Sequence, residues 1–215
     1  MIDIKSNDKK ENHFTYELKY AKLDDLVTIS PGTSVSRLNR YDDESKSGTR
    51  IYNQLSFTSD KNGFEISDGI DNEYKVIRSD DITSSMLTHE NDLIMNMSTG
   101  ELVRVSAANK DLLLPYNYSK VKVKNNQIDD KFLEYWVNES KTFKERVNDN
   151  SEYSRRLSIK KIKDIEVALP DMETQMKIGE LYRANQNIII KQIEKTKLIN
   201  KLISQEILKE SEEDE

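Results

Sequence analysis

The stretch that decides the fold runs from Ser158 to Tyr182 and reads SIKKIKDIEVALPDMETQMKIGELY. Ile165, Val167 and Leu169 alternate with Glu166 and Ala168, the period of two that marks a half-buried strand. Pro170 cannot donate to a strand ladder and Asp171 is a helix-capping type, so a strand should end here and a helix begin. From Thr174 the period becomes helical. Ile178, Leu181, Ile188, Ile199 and Leu202 fall on one stripe, and no proline follows Pro170. A helix over 172–209 would run for about 55 Å at about 1.5 Å per residue. A chain of 215 residues cannot enclose a rod of that length. The spacing therefore predicts a globular body joined to a protruding helix.

Working outward, residues 1–17 read as a polar leader with little periodicity. Leu23, Leu26 and Ile29 predict a short helical or extended opening that ends at Pro31-Gly32. The polar run from Ser34 to Arg50 predicts a long surface loop. Strands are predicted at Ile51 to Phe57, Tyr74 to Ile77, Leu93 to Met97, Leu102 to Val105 and Val121 to Val123. Turns between them fall at Lys61-Asn62-Gly63, Ser67-Asp68-Gly69 and Ser98-Thr99-Gly100. Phe132, Trp136, Phe143 and Val147 mark one helix face, and no internal repeat is found. The fold class is α+β, a globular domain over residues 18–171 followed by one long C-terminal α-helix over 172–209, coiled-coil-like, and an acidic tail over 210–215.

Composition narrows the functions available. The absence of cysteine excludes a disulfide framework and thiolate metal sites. No apolar run approaches the about 18 residues of a membrane span, and the polar N-terminus reads as neither signal peptide nor anchor. A cytoplasmic protein is expected. His13 and His89 are the only histidines, and the sequence sets neither beside a serine nucleophile or a second metal ligand. No glycine-rich phosphate loop follows any predicted strand. Leu114-Pro115-Tyr116 only faintly suggests the Pro-Tyr element of amino-methyltransferases. The Glu-x-Lys triplets at Glu44 to Lys46 and Glu139 to Lys141 lack the acidic strand a metal-dependent nuclease needs. No catalytic residues, no metal site and no cofactor in this chain are the resulting expectations.

The net charge of -6 is unevenly spread. The six residues from Glu210 to Glu215 hold five acidic groups, so the remainder has 34 acids against 33 bases, a balance of -1. From Ser119 to Lys163 twelve Lys or Arg face seven Asp or Glu, a surplus of +5. That surplus suits phosphates, and it equally suits the solvated faces of two helices and a loop.

Further motifs carry a family resemblance. Leu157 to Ile178, L-S-I-x-x-I-x-x-I-x-V-A-L-P-x-M-E-x-Q-x-K-I, resembles the segment that closes each target-recognition domain of Type I restriction-modification specificity subunits and opens the helix behind it. Leu23-Asp24-Asp25-Leu26 with Pro31-Gly32 resembles the start of such a domain. His89-Glu90-Asn91-Asp92-Leu93-Ile94 resembles its "gDil" strand, and Asn125 to Val137 its last helix. The match covers residues 18 to about 205, and its motifs belong to the scaffold, silent about the DNA sequence read.

What the resemblance implies is a non-catalytic, sequence-specific DNA recognition subunit. Family members usually carry two recognition domains and two such helices in one chain with approximate two-fold symmetry. Here there is one of each, which implies a homodimer with antiparallel helices reading a gapped palindrome on double-stranded DNA. Methyltransferase (modification) subunits, which bind S-adenosylmethionine, would dock on the helices, and a restriction/translocase subunit could join them.

Base reading calls for Arg, Asn and Gln on loops, with Lys and Arg on phosphates. The loop supplies Arg37, Asn39, Arg40, Tyr41, Lys46 and Arg50, and the next predicted strand adds Tyr52, Asn53 and Gln54. Ser154, Arg155 and Arg156, with Lys160 and Lys161, are placed to grip a backbone. In the helix, Ile178, Leu181, Ile188, Ile199 and Leu202 are the expected dimer and partner seam. Asn185 and Gln192, one heptad apart, would fix its register. Ile189, Ile193, Ile203 and Ile207 broaden the apolar face. The rival readings are a helical adaptor without DNA specificity, or a regulator of a full-length specificity subunit.

Overall fold

Strand β5 (Leu93–Asn96) is buried along its whole length, because both faces of its sheet are covered. In the computed structural model, which describes residues 18–41, 47–63, 76–151 and 156–213, β5 lies between β6 (Leu102–Arg104) and β7 (Tyr118–Val123). Strand β2 (Val27–Pro31) completes the order β2-β7-β5-β6, with every neighbouring pair antiparallel. Alternation sends Val27, Ile29, Leu93, Met95 and Val121 to one face and Ile94, Val103 and Tyr118 to the other. Helices α3 (Asp130–Glu139), α4 (Lys141–Ser151) and α5 (Ile159–Lys163) and strand β8 (Glu166–Leu169) cover the first face through Phe132, Trp136, Phe143, Ile162 and Val167. Helix α2 (Gln54–Asn62) covers the second. Its Phe57 stacks on Tyr118 at 5.6 Å between ring centres, and Tyr52 meets Tyr118 edge-on at 5.2 Å.

The remaining elements are β1 (Lys19–Lys22), α1 (Leu23–Leu26), the short pair β3 (Thr49–Arg50) and β4 (Val76–Ile77), and α6 (Met172–Glu213). The architecture is α+β, a sheet-rich domain followed by a long C-terminal helix, as the sequence patterns predict. The predicted closing strand is β8, and it pairs antiparallel with β1, which periodicity had left unmarked. Asp171 caps α6: its Oδ1 accepts from the Thr174 N–H at 2.9 Å and its Oδ2 from the Thr174 hydroxyl at 2.7 Å. The predicted turn after β5 closes on Gly100, whose φ of 76° only glycine adopts without strain.

Two predicted elements differ. Residues Ile51 to Phe57 are not a strand, since α2 begins at Gln54. Asn53 Oδ1 accepts from the Ser56 N–H at 2.9 Å while the Ser56 hydroxyl faces the Asn53 N–H at 3.4 Å, a capping box that outweighs the strand-forming residues around it. The aromatic helix face from Phe132 to Val147 is split at Ser140, whose ψ of 123° ends α3. Its Oγ accepts from the Phe143 N–H at 3.3 Å and so starts α4. Trp136 and Phe143 still meet across the break at 5.5 Å. The residues Ser67-Asp68-Gly69 and Tyr74 lie outside the described residues. Among the described residues no helix is long and apolar enough to cross a membrane.

Candidate nucleic-acid interface

Residues Leu113 to Tyr118 form a hub on which three candidate segments converge. The segment after β2 joins it first: Gly32 N–H donates to the Tyr118 carbonyl at 2.9 Å and Thr33 N–H to the Leu114 carbonyl at 2.7 Å. Added bulk at Gly32 would meet the Pro115 carbonyl oxygen at 2.2 Å, so glycine is required for this approach. The segment after β3 joins next, with Leu113 N–H on the Arg50 carbonyl at 2.8 Å and Tyr52 N–H on the Leu113 carbonyl at 2.9 Å. Arg156 is the third. Its Nη2 donates to the Tyr116 carbonyl at 3.0 Å, and its guanidinium lies 5.9 Å from the centre of the Tyr116 ring, which is 58% exposed.

The candidate residues divide on this frame. Arg37, Asn39, Arg40 and Arg50 are exposed. The Asn39 N–H donates to Asp81 Oδ2 at 2.8 Å, and the half-buried Tyr41 reaches Asp80 with its hydroxyl at 3.3 Å, so two carboxylates brace the loop that carries the arginines. Gln54 is exposed, with its Nε2 3.3 Å from Thr58 Oγ1 and its Oε1 3.4 Å from the Tyr118 hydroxyl. Lys46, Ser154 and Arg155 lie outside the described residues. Lys160 and Lys161 are exposed on α5, which runs from the hub toward α1. Leu157 N–H bonds the Met97 carbonyl at one end, and Lys163 meets Asp24 at 3.0 Å at the other. The hydrogen bond from Lys163, assisted by Lys124, holds the Asp24 carboxyl below its ordinary value.

Tyr52 is corrected, and Asn53 is half-buried with one side-chain atom engaged. Tyr52 is fully buried and its hydroxyl donates to Asp60 Oδ2 at 2.7 Å, so it cannot reach a groove. Burial, and then the Asp60 charge, push its phenol far above the ordinary tyrosine value. Burial pushes Tyr118 up to about 12. The Asn53 amide oxygen is committed to capping α2.

Tyr116 is the residue sequence reasoning missed, because its Pro-Tyr context pointed only to a methyltransferase element. The structure also brings Ser84 Oγ to 3.3 Å from His89 Nε2, with Asp92 Oδ2 3.3 Å from His89 Nδ1, a pairing the sequence spacing did not reveal. It does not form a catalytic triad. Asp92 Oδ2 already takes Lys120 Nζ at 2.7 Å and the His89 N–H at 2.8 Å, and Lys120 Nζ also lies 3.4 Å from Nδ1. A general base at Nε2 requires the ring proton on Nδ1, and the Lys120 ammonium facing Nδ1 disfavours that tautomer. No group of three His, Cys, Asp or Glu side chains suited to a metal occurs among the described residues.

The seam residues of α6 also divide. Leu181, Asn185, Ile188, Gln192, Ile199 and Leu202 are exposed, Leu181 by 72%, Ile188 by 55% and Leu202 by 56%. Ile178 is instead half-buried against the core. It lies about 60° around the helix from Leu181, toward the body-facing side, so it does not belong to the exposed stripe.

No protein-family model matches the chain, and no curated protein matches it in sequence. Solved structures do. The HsdS subunit from Thermoanaerobacter tengcongensis superposes with a TM-score of 0.51 at 12% identity, over 86% of this chain and 42% of that one. The fold resembles that of part of an HsdS subunit. A chain from a structure on complex assembly and conformational transition of the type I R-M system superposes with a TM-score of 0.54 at 14% identity, over 89% of this chain and 44% of that one. The present chain thus spans less than half the length of either of these chains.

Proposed function

We propose that this chain is the DNA-specificity subunit of a Type I restriction-modification complex and is itself without turnover. The observation that carries the proposal is the convergence on one hub of an HsdS-type fold of the segment that leads to Arg37 and Arg40, of Arg50, and of Arg156 with Tyr116. Forked donors on rigidly anchored loops suit base edges, and Lys160 and Lys161 alongside suit phosphates. The exposed apolar stripe of α6 supports pairing with a second copy through antiparallel helices. Two identical domains related by a two-fold axis would read inverted copies of one half-site, a gapped palindrome. Methyltransferase subunits carrying S-adenosylmethionine would dock on the helices, a restriction/translocase subunit could join, and the assembly would act in the cytoplasm.

Coexpression with a Type I methyltransferase subunit, followed by mapping of methylated bases, tests this. A gapped palindrome that depends on this chain is expected. An asymmetric site with two unrelated halves would overturn the homodimer, and no chain-dependent methylation together with no duplex binding would overturn DNA recognition.

A further inference from the structure

The face that α6 lays on the body carries apolar contacts at Ile178 and Ile190, and alongside them a set of polar contacts that are directional. Gln175, buried, donates through Nε2 to the carbonyls of Gln127 at 3.2 Å and Pro170 at 2.9 Å, and its Oε1 accepts from the Asp129 N–H at 3.0 Å. One turn on, Gly179 lets α6 touch the start of α3. A Cβ there would sit 2.7 Å from the Phe132 backbone nitrogen and 2.7 Å from Lys131 Cβ. One turn further, the Tyr182 hydroxyl accepts from Asn138 Nδ2 at 3.1 Å. The same Asn138 amide holds both the N–H and the carbonyl of Leu102 on the edge strand β6, at 2.9 and 2.8 Å. Finally Arg183 Nη1 lies 3.0 Å from Glu134 Oε1, while Glu134 Oε2 faces Arg104 Nε at 3.2 Å. The Glu134 side chain is only 5% exposed.

Apolar contacts carry no directional preference, whereas a shift of about 1 Å stretches hydrogen bonds of about 3 Å past the length at which they hold. Beyond Ile190, which meets Gly63 at the end of α2, the helix extends for about 16 Å to Lys201. Over that arm a tilt of about 12° moves the end by about 3.4 Å, the rise of one base pair. We infer that Gln175, Gly179, Tyr182 and Arg183, clasped on Asp129, Phe132, Glu134 and Asn138, are positioning residues that fix the body on the helix and thereby set which spacer length between half-sites is accepted. This inference rests on the DNA-specificity reading, but the rigidity it requires is measurable without DNA.

The chain has no cysteine, so Lys110→Cys with Lys201→Cys gives a clean pair of spin labels, one on the body and one on the helix. Diluted with an excess of unlabelled chain, the labelled protein should show one narrow distance distribution by pulsed electron resonance. Arg183→Ala, and independently Gly179→Ala, should widen it by about twofold or split it, with Arg183→Lys intermediate because the cation survives. Unchanged widths in both alanine variants would overturn the clasp. The second arm is selection of bound duplexes from a random library by the full chain. The unsubstituted chain should enrich one spacer, rejecting neighbouring spacers by about tenfold. In the alanine variants adjacent spacers should come within about twofold of one another while the half-site motif is unchanged. Widened distances with an unaltered spacer would overturn spacer control. Failure of the unsubstituted chain to enrich any motif would count against DNA recognition, and with it spacer control, while the distance measurement still decides the clasp.

Discussion

The Tyr52 hydroxyl donates to Asp60 Oδ2 at 2.7 Å, and the other oxygen of that carboxylate accepts from the Ser106 N–H at 2.9 Å and from Asn109 Nδ2 at 2.7 Å. One carboxylate thus ties Tyr52, two residues before α2, and α2 itself to the turn after β6. Replacing Tyr52 with Phe removes a buried hydrogen bond to a charged group, and a loss of about 2 kcal/mol is expected by denaturant unfolding. Duplex binding by the folded variant should be unchanged, because Tyr52 is structural. A variant of full stability that loses base preference would reverse that assignment.

The strand, stop and helix from Ile165 onward were legible because each device is local: alternation in β8, Pro170 at its end, and the Asp171 cap with Thr174 three residues on. Tyr52 was not legible, since its partners Asp60, Ser106 and Asn109 are spread over the chain and nothing in Tyr-Asn-Gln separates a base reader from a buried ring. Helix α2 was misread for a related reason, in that the capping box Asn53 to Ser56 is one weak pattern set against a run of strand-forming residues. The polar clasp on the docking face of α6 is not legible because periodicity counts apolar residues and the clasp is built from Gln175, Gly179, Tyr182 and Arg183. The hub at Leu113 to Tyr118 is assembled by backbone bonds from three distant segments, which no sequence pattern encodes.

Ile188, Ile199 and Leu202 are exposed on the helix and belong to neither core cluster of the described residues. Replacing all three with Glu would put unpaired charges into a seam between two copies, at a cost of about 3 kcal/mol or more. Sedimentation should then show a monomer at concentrations where the unsubstituted chain is a dimer, with the near-ultraviolet circular dichroism of the body unchanged. A dimer that survives all three changes would place the interface elsewhere.

The exposed arginines of the hub and the lysines of α5 should behave differently on DNA. Lys160→Ala with Lys161→Ala would remove up to two phosphate contacts and weaken all sequences alike, lowering the slope of log affinity against log salt by about 1.8. Arg40→Ala should relax one base position, the same in both half-sites, at about 1 to 3 kcal/mol. Binding titrations over a salt series, with matched and singly mismatched duplexes, separate the two. An unaltered salt slope after both lysine changes would remove α5 from the interface.

The Asp171 carboxyl is held below its ordinary value of 3.8, chiefly by the backbone N–H of Thr174 and then by the Thr174 hydroxyl. A carboxyl lowered in the folded state binds fewer protons there than in the unfolded chain. Its contribution is therefore fully present above the unfolded value and is lost as pH falls through the folded one. Asp171→Asn keeps one oxygen, which can still accept from the Thr174 N–H, but it loses the second acceptor and carries no charge at any pH, which also removes the favourable interaction with the N-terminal end of α6. The unsubstituted chain should melt at a higher temperature than Asp171→Asn at neutral pH, and the gap should close as pH is lowered from about 4 toward about 2. Thermal melts of the two proteins across that range measure it. A gap that persists unchanged at the acid end would mean that the geometry of the cap, and not its charge, holds the start of the long helix against β8.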